Sequence, residues 1–125
     1  MRVNGRAIRA IVDSGSTINA ISSSLARRLK LRPEPHSAIS VRQVNGTTTS
    51  GGRITATLQI GTVAHVVALH VMPNLPRRFL IGLPTSRRFG LKVDFRQLTV
   101  HQTTPGQTQP SLCLHADVPL PQSVS

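Results

Sequence analysis

The sequence predicts an all-β domain with one or two short helices, and three observations carry that expectation. Valine, isoleucine and threonine abound, and these residues favour strands over helices. Residues 53–60 alternate cleanly, with Ile54, Ala56, Leu58 and Ile60 set against Arg53, Thr55, Thr57 and Gln59. Turn signals such as Asn4-Gly5, Asn45-Gly46, Gly51-Gly52 and Gly61-Thr62 divide the chain into strand-length pieces. With three Phe and no Trp or Tyr, the core must be built from Val, Ile, Leu and Ala.

The 125 residues suffice for one modest core. No apolar run could span a bilayer, and the amino terminus lacks the apolar segment of a signal peptide. The expectation is a soluble, intracellular, cytoplasmic protein without a membrane partner. Cys113 is the only cysteine, so no intrachain disulfide can form and a reducing compartment fits. The net charge of +11 invites contact with an anionic partner. The basic residues, however, sit in scattered pairs, Arg27-Arg28, Arg77-Arg78 and Arg87-Arg88, with few aromatic rings on which bases could stack. Non-specific contact with nucleic acid through a basic surface is expected, but not a dedicated reading surface.

Taken in order, Val3-Asn4-Gly5-Arg6 predicts a hairpin leading into a strand over residues 6–12, apolar on both faces near its end. The strand before Asn4 is expected to be truncated, because so few residues precede it. Residues 18–21 read as extended, Ser22-Ser23-Ser24 as a helix cap, and Leu25 and Leu29 as the apolar side of a short helix stopped by Pro33 and Pro35. Residues 37–44 and 53–60 are expected to form a hairpin with residues 45–52 as its glycine-rich loop, followed by a strand over 63–72. His65 and His70 fall on opposite faces of that strand and are expected to be strand residues, not metal ligands. Phe79-Leu80-Ile81-Gly82 is a second apolar strand ending at glycine, residues 84–89 predict a turn or two of helix, and 91–95 with 98–101 a closing hairpin. Residues 102–125, rich in Pro, Gln, Thr and Ser, read as a disordered tail or linker after a domain spanning 1–101.

Only four acidic residues occur, yet one of them, Asp13, directly follows an apolar run in Ala10-Ile11-Val12-Asp13-Ser14-Gly15-Ser16-Thr17. A carboxylate placed there needs hydrogen bonds or a purpose. Asp-Ser-Gly is also an ordinary turn, so the triplet alone decides nothing.

The order of elements, with Ile11-Val12-Asp13-Ser14-Gly15-Ser16-Thr17, Leu80-Ile81-Gly82-Leu83 and Arg87-Arg88-Phe89-Gly90-Leu91-Lys92-Val93-Asp94-Phe95, resembles the retropepsin-like aspartic proteases, in particular those of gypsy-type retrotransposons. The resemblance covers residues 3–101 and implies a small closed β-barrel, half of an acid protease, with a flap hairpin. It further implies an aspartic endopeptidase that needs no cofactor and no metal, belongs to a retroelement polyprotein, and hydrolyses peptide or polyprotein substrates. Asp13 becomes the catalytic residue, and Ser14 and Gly15 the active-site turn, with Ser14 fixing the two active-site loops. Ser16, Thr17, Ile18, Leu80, Ile81 and Gly82 become the substrate cleft, and Asn45, Gly46, Thr47, Thr48, Thr49, Ser50 and Gly51 the flap. Because the chain holds one such triplet, the second aspartate must come from another copy, and the resemblance implies a homodimer. Two positions depart from the family's pattern: Pro84 stands where an acid is usual and Ser86 where leucine is common. The alternatives are the same fold without turnover, acting in dimerisation or peptide binding, and a basic β-domain that binds nucleic acid.

Overall fold

The computed structural model describes residues 1–43, 46–73, 75, 78–94, 96–97, 99–103 and 112–115, with backbone alone for 42, 43, 48 and 112–115. Among the described residues, twelve strands and two helices follow in the order β1 (Arg2–Val3), β2 (Arg6–Ala7), β3 (Ile11–Val12), β4 (Ala20–Ser22), α1 (Ser23–Arg28), β5 (Ser40–Gln43), β6 (Gly46–Thr49), β7 (Arg53–Ile60), β8 (Val63–Met72), β9 (Phe79–Ile81), α2 (Leu83–Arg88), β10 (Leu91–Asp94), β11 (Thr99–Gln102) and β12 (Leu112–His115). Seven strands form one curled sheet in the order β2-β1-β7-β8-β4-β9-β3. A three-stranded sheet, β10-β11-β12, and the two-stranded β5-β6 complete the strands. No described helix is long and apolar enough to cross a membrane.

The Asn4-Gly5 turn forms as the sequence predicts. Asn4 and Gly5 have φ of 47° and 86°, the left-handed pair that joins two tightly paired strands. The segment over 6–12 is not one strand. Its first half pairs with β1 and its second half, β3, lies parallel to β9 at the far end of the sheet order. The chain hands over between them, with the Ile8 amide donating to the Met1 carbonyl (2.8 Å) and the Asp13 amide to the Ile81 carbonyl (2.9 Å).

The central hairpin, β7 with β8, is paired from Arg53↔His70 to Ile60↔Val63. Its alternation resolves as read, with every second residue of β7 buried. Leu58 and Ile60, with Ile21, Leu69 and Ile81, have no exposed surface and form the core with Phe79, Phe89 and Val71.

The expected pairing of residues 37–44 with 53–60 is corrected. β5 pairs with β6, which lies inside the stretch read as a loop, and β7 is taken by β8 and β1. Ser50 fastens the open end of this hairpin. Its amide donates to the Ile39 carbonyl (2.7 Å), and its hydroxyl accepts from the amides of Ile39 (3.0 Å) and Gly52 (3.3 Å). The threonines of 47–49 are themselves good strand formers.

Helix α1 is capped as expected, the Ser22 hydroxyl accepting from the Leu25 amide (3.2 Å), and Arg27 and Arg28 lie in its last turn. Helix α2 has Pro84 in its first turn and ends at Gly90, whose φ of 68° requires glycine. Two findings fall in the stretch read as a tail from residue 102. Gln102 ends β11 fully buried, its amide donating to the carbonyls of Ile60 (2.9 Å) and Phe89 (3.0 Å). Leu112–His115 adds a third strand to the closing hairpin, in register Gln102↔Leu112 to Thr99↔His115.

Leu58→Ala empties the centre of this core, since Leu58 has no exposed surface. Urea titration should show the unfolding free energy reduced by roughly 2–5 kcal/mol. A loss under about 1 kcal/mol would mean that the β1-β7-β8 layer is not the core.

Candidate active site

Asp13 sits where β3 ends. The parallel register Ile11↔Leu80 and Val12↔Ile81 continues one residue further through the Asp13 amide and the Ile81 carbonyl. The chain then turns on the aspartate itself. Asp13 Oδ1 accepts from the Gly15 amide (3.1 Å), and the Asp13 carbonyl from the Ser16 amide (3.1 Å). This is an Asx turn, the arrangement that Asp-Ser-Gly favours. Here it also holds the half-buried carboxylate in one direction at the mouth of the strand. A Cβ on Gly15 would lie 3.4 Å from Oδ1, in van der Waals contact with the carboxylate.

The second apolar element meets this turn directly. The Leu83 amide donates to the Ser16 carbonyl (2.8 Å). A Cβ on Gly82 would collide with the Ile18 carbonyl oxygen and stand 2.9 Å from its carbon and 3.0 Å from the Ser16 oxygen. Gly82 is glycine because two backbones touch there, not because of an unusual φ. The Ser16 hydroxyl donates to the Ile18 carbonyl (2.9 Å) and accepts from the Ile18 amide (3.2 Å), tightening the turn further.

The residues expected around Asp13 come together unevenly. Ser14 and Thr17 are exposed, Ser16, Ile18 and Leu80 half-buried. Ile81 has its side chain in the core, so what it offers this site is its carbonyl oxygen. Within one chain the two loops are laced by Ser16, Ile81, Leu83 and a residue that the sequence reading passed over. This is Asn19, 7 % exposed, whose carboxamide reaches Gly82, Ala68 and Thr85. An asparagine two residues past the Asp-Ser-Gly-Ser-Thr run, at the head of a buried strand, was the available signal.

Asn45 lies outside the described residues. Gly46, Thr47 and Thr49 are exposed on β6, and Thr48 faces Val41 in the register. Ser50 is buried and, with the Gly51 amide donating to the Val71 carbonyl (2.6 Å), ties the hairpin to β8. At the other side of its base, Glu34 accepts from Arg53 (2.7 Å to Nη2) and from the Thr55 hydroxyl (2.8 Å). These bonds, Arg53's first, hold the Glu34 carboxyl below its ordinary range. Ser86, the departure in α2, is buried but satisfied, its hydroxyl donating to the Gly82 carbonyl (2.8 Å).

His65 packs edge-on against Phe89, ring centroids 4.8 Å apart. His70 stands opposite Arg53 in the register, and its Nδ1 is buried with no hydrogen-bond partner among the described residues. Among the described residues, no group of three or more His, Cys, Asp or Glu could hold a metal ion.

The sequence model of the family described as "gag-polyprotein putative aspartyl protease" matches residues 1–85. The chain belongs to that family. The matched span contains both the Asp13 turn and Gly82 with the start of α2. No curated protein matches the chain. Among the solved structures 27 chains match. One of them is the retroviral protease-like domain of Ddi1 from Leishmania major, at a TM-score of 0.56 and 18% identity, over 86% of this chain and 92% of that one. At that identity the likeness is one of fold, and the fold of this gag-polyprotein aspartyl protease relative is retropepsin-like.

Two predictions test this account. Gly82→Ala should destabilise the protein by about 1–3 kcal/mol in urea, because the added methyl can be accommodated only by parting the two loops. A neutral substitution would mean that they do not touch. The second concerns acid. Burial, and then the Arg53 charge, lower the His70 pKa from 6.5. The unfolded chain therefore takes up this proton first, and stability falls as pH drops below about 6.5. Glu34, lowered from 4.5, adds a further loss below that pH. Comparing urea midpoints at neutral and mildly acidic pH, His70→Gln should shrink the difference between them; an unchanged difference would remove His70 as its source.

Proposed function

We propose that the protein is an aspartic endopeptidase that works as a two-fold homodimer, each copy supplying its Asp13 to one catalytic pair. The observation that carries this reading is the Asp13 turn, held by β3 and laced to Gly82 and Leu83, in a chain of the gag-polyprotein aspartyl protease family. Two carboxylates brought that close cannot both be ionised, so the pair shares one proton. The ionised member takes a proton from a water molecule as its oxygen attacks the scissile carbonyl carbon. The protonated member gives its proton to the carbonyl oxygen, forming a neutral gem-diol. Collapse breaks the C–N bond as the amide nitrogen is protonated, and the pair returns to its singly protonated state. Ser14, exposed in the single chain, reaches across to the partner's loop, and Gly15 lets a substrate backbone approach the carboxylates.

Ser16, Thr17, Ile18 and Leu80 line the cleft in this reading, and the β5-β6 hairpin, with residues 46–51, closes over an extended peptide and excludes water. The substrate is a polyprotein, the setting that fits the family's description, and we place its site of action in the cytoplasm. A second reading, peptide binding without turnover, is favoured by one feature. The described flap residues Gly46, Thr47 and Thr49 are small, and such a flap closes loosely. The exposed arginines add sequence-independent contact with nucleic acid, a contact that salt should abolish.

The test is incubation with an unfolded protein at mildly acidic pH, with and without pepstatin, beside Asp13→Asn. Cleavage should be blocked by pepstatin and abolished by the substitution; cleavage that persists in Asp13→Asn would overturn the assignment. Sedimentation should show a concentration-dependent dimer, and a monomer at high micromolar concentration would remove the paired site.

A further inference from the structure

We propose that Asn19 is a positioning residue for the Asp13 pair, setting where the aspartate stands through the loop at Gly82. The inference rests on the protease reading above and concerns the same site.

Three consecutive residues of the second loop each bond to the first. The Ile81 carbonyl accepts from the Asp13 amide (2.9 Å), the Gly82 amide donates to Asn19 Oδ1 (2.9 Å), and the Leu83 amide donates to the Ser16 carbonyl (2.8 Å). The outer two links are backbone to backbone and do not depend on any side chain. The middle one is made by a side chain. Asn19 Nδ2 uses both of its hydrogens, donating to the Ala68 carbonyl on β8 (3.0 Å) and to the Thr85 hydroxyl on α2 (2.8 Å). Its backbone carbonyl accepts from the His70 amide (2.9 Å), so the residue is anchored on β8 before its side chain reaches out.

No other amino acid satisfies these three partners at this length. The acceptor and the two donors lie on one planar group, and two of the sites they reach, the Gly82 amide and the Thr85 hydroxyl, are buried. An apolar replacement of similar volume would strand the Gly82 amide and the Thr85 hydroxyl, both buried and costly to leave unpaired. Aspartate would keep the acceptor but lose both donors and place a charge 7 % exposed against a carbonyl. The consequence reaches beyond stability. Asp13 is bonded to the residue that precedes Gly82, so slack at Gly82 is passed to the aspartate within one peptide unit. In a two-fold pair that slack enters twice, once from each copy. Displacements of an ångström at a reacting group cost about a hundredfold in rate.

The experiment compares the intact chain with Asn19→Ala, Thr85→Val and Thr85→Ser, reading kcat and KM for one peptide and amide hydrogen exchange on the same samples. Asn19→Ala should lower kcat about tenfold to a hundredfold with KM within about twofold. The amides of Gly82 and Leu83 should exchange faster while those of β7 and β8 keep their protection. Thr85→Val, which removes one of the three bonds and leaves the fold intact, should show a smaller loss of the same kind, and Thr85→Ser should restore it. This milder pair decides the matter if Asn19→Ala does not fold. An unchanged kcat in Asn19→Ala, or exchange quickened evenly over β7 and β8, would overturn the proposal by reducing Asn19 to a core residue. If the unsubstituted chain cleaves nothing, the protease reading fails on its own, and selective exchange at Gly82 and Leu83 still tests whether Asn19 sets the loop.

Discussion

The contact between the Asp13 turn and the Gly82 turn is the constraint on which the site depends. Two loops from distant parts of the chain meet backbone to backbone, at a distance that excludes even a Cβ on Gly82. Such an approach is stable only when the buried amides and carbonyls find partners, and here they do so in consecutive order through Asp13, Asn19 and Ser16. Both strands that deliver these loops are short, β3 with two residues and β9 with three. Their own ladder is too small to hold the geometry, so side-chain bonds carry a share that longer strands would make unnecessary.

The rest of the sheet supplies a rigid frame for that contact. β4 lies between β8 and β9, parallel to the first and antiparallel to the second. Through it the long β7-β8 hairpin, which carries the buried Ile54, Leu58, Ile60 and Leu69, is joined to the strand beside Asp13. Among the described residues the core contains two buried phenylalanine rings, Phe79 and Phe89. Polar residues inside it, Asn19, Thr85, Ser86 and Gln102, are all engaged, which is how a small aliphatic core tolerates them.

The β5-β6 hairpin is built on a different principle. Its two strands pair with each other and not with the main sheet, so the hairpin is held at its base by Ser50, Gly51, Ser37 and the Glu34–Arg53 pair. An element held at one end can move as a unit while the sheet stays fixed, and this suits a cover over an extended chain.

Much of this was legible in the residues. The bounds of β7 and β8 follow from alternation and from Gly61-Thr62, because period-two burial is a local property of each strand. The α1 cap, the Asn4-Gly5 turn and the stop at Gly90 are equally local, set by side chains that choose one backbone conformation. Asp13 and Gly82 stood out as acid and glycine after apolar runs, and the family's pattern joined them. What residues alone left open was which segments meet. The stretch over 6–12 divides between opposite ends of the sheet, β5 turns to β6, Gln102 is drawn inside, and Leu112–His115 adds a strand to β11. Each is a choice among partners of similar local merit, decided by which arrangement satisfies buried backbone groups across the whole molecule. Asn19 belongs with these, since an asparagine in sequence is only a polar residue, and its three bonds exist because β8, α2 and Gly82 converge on it.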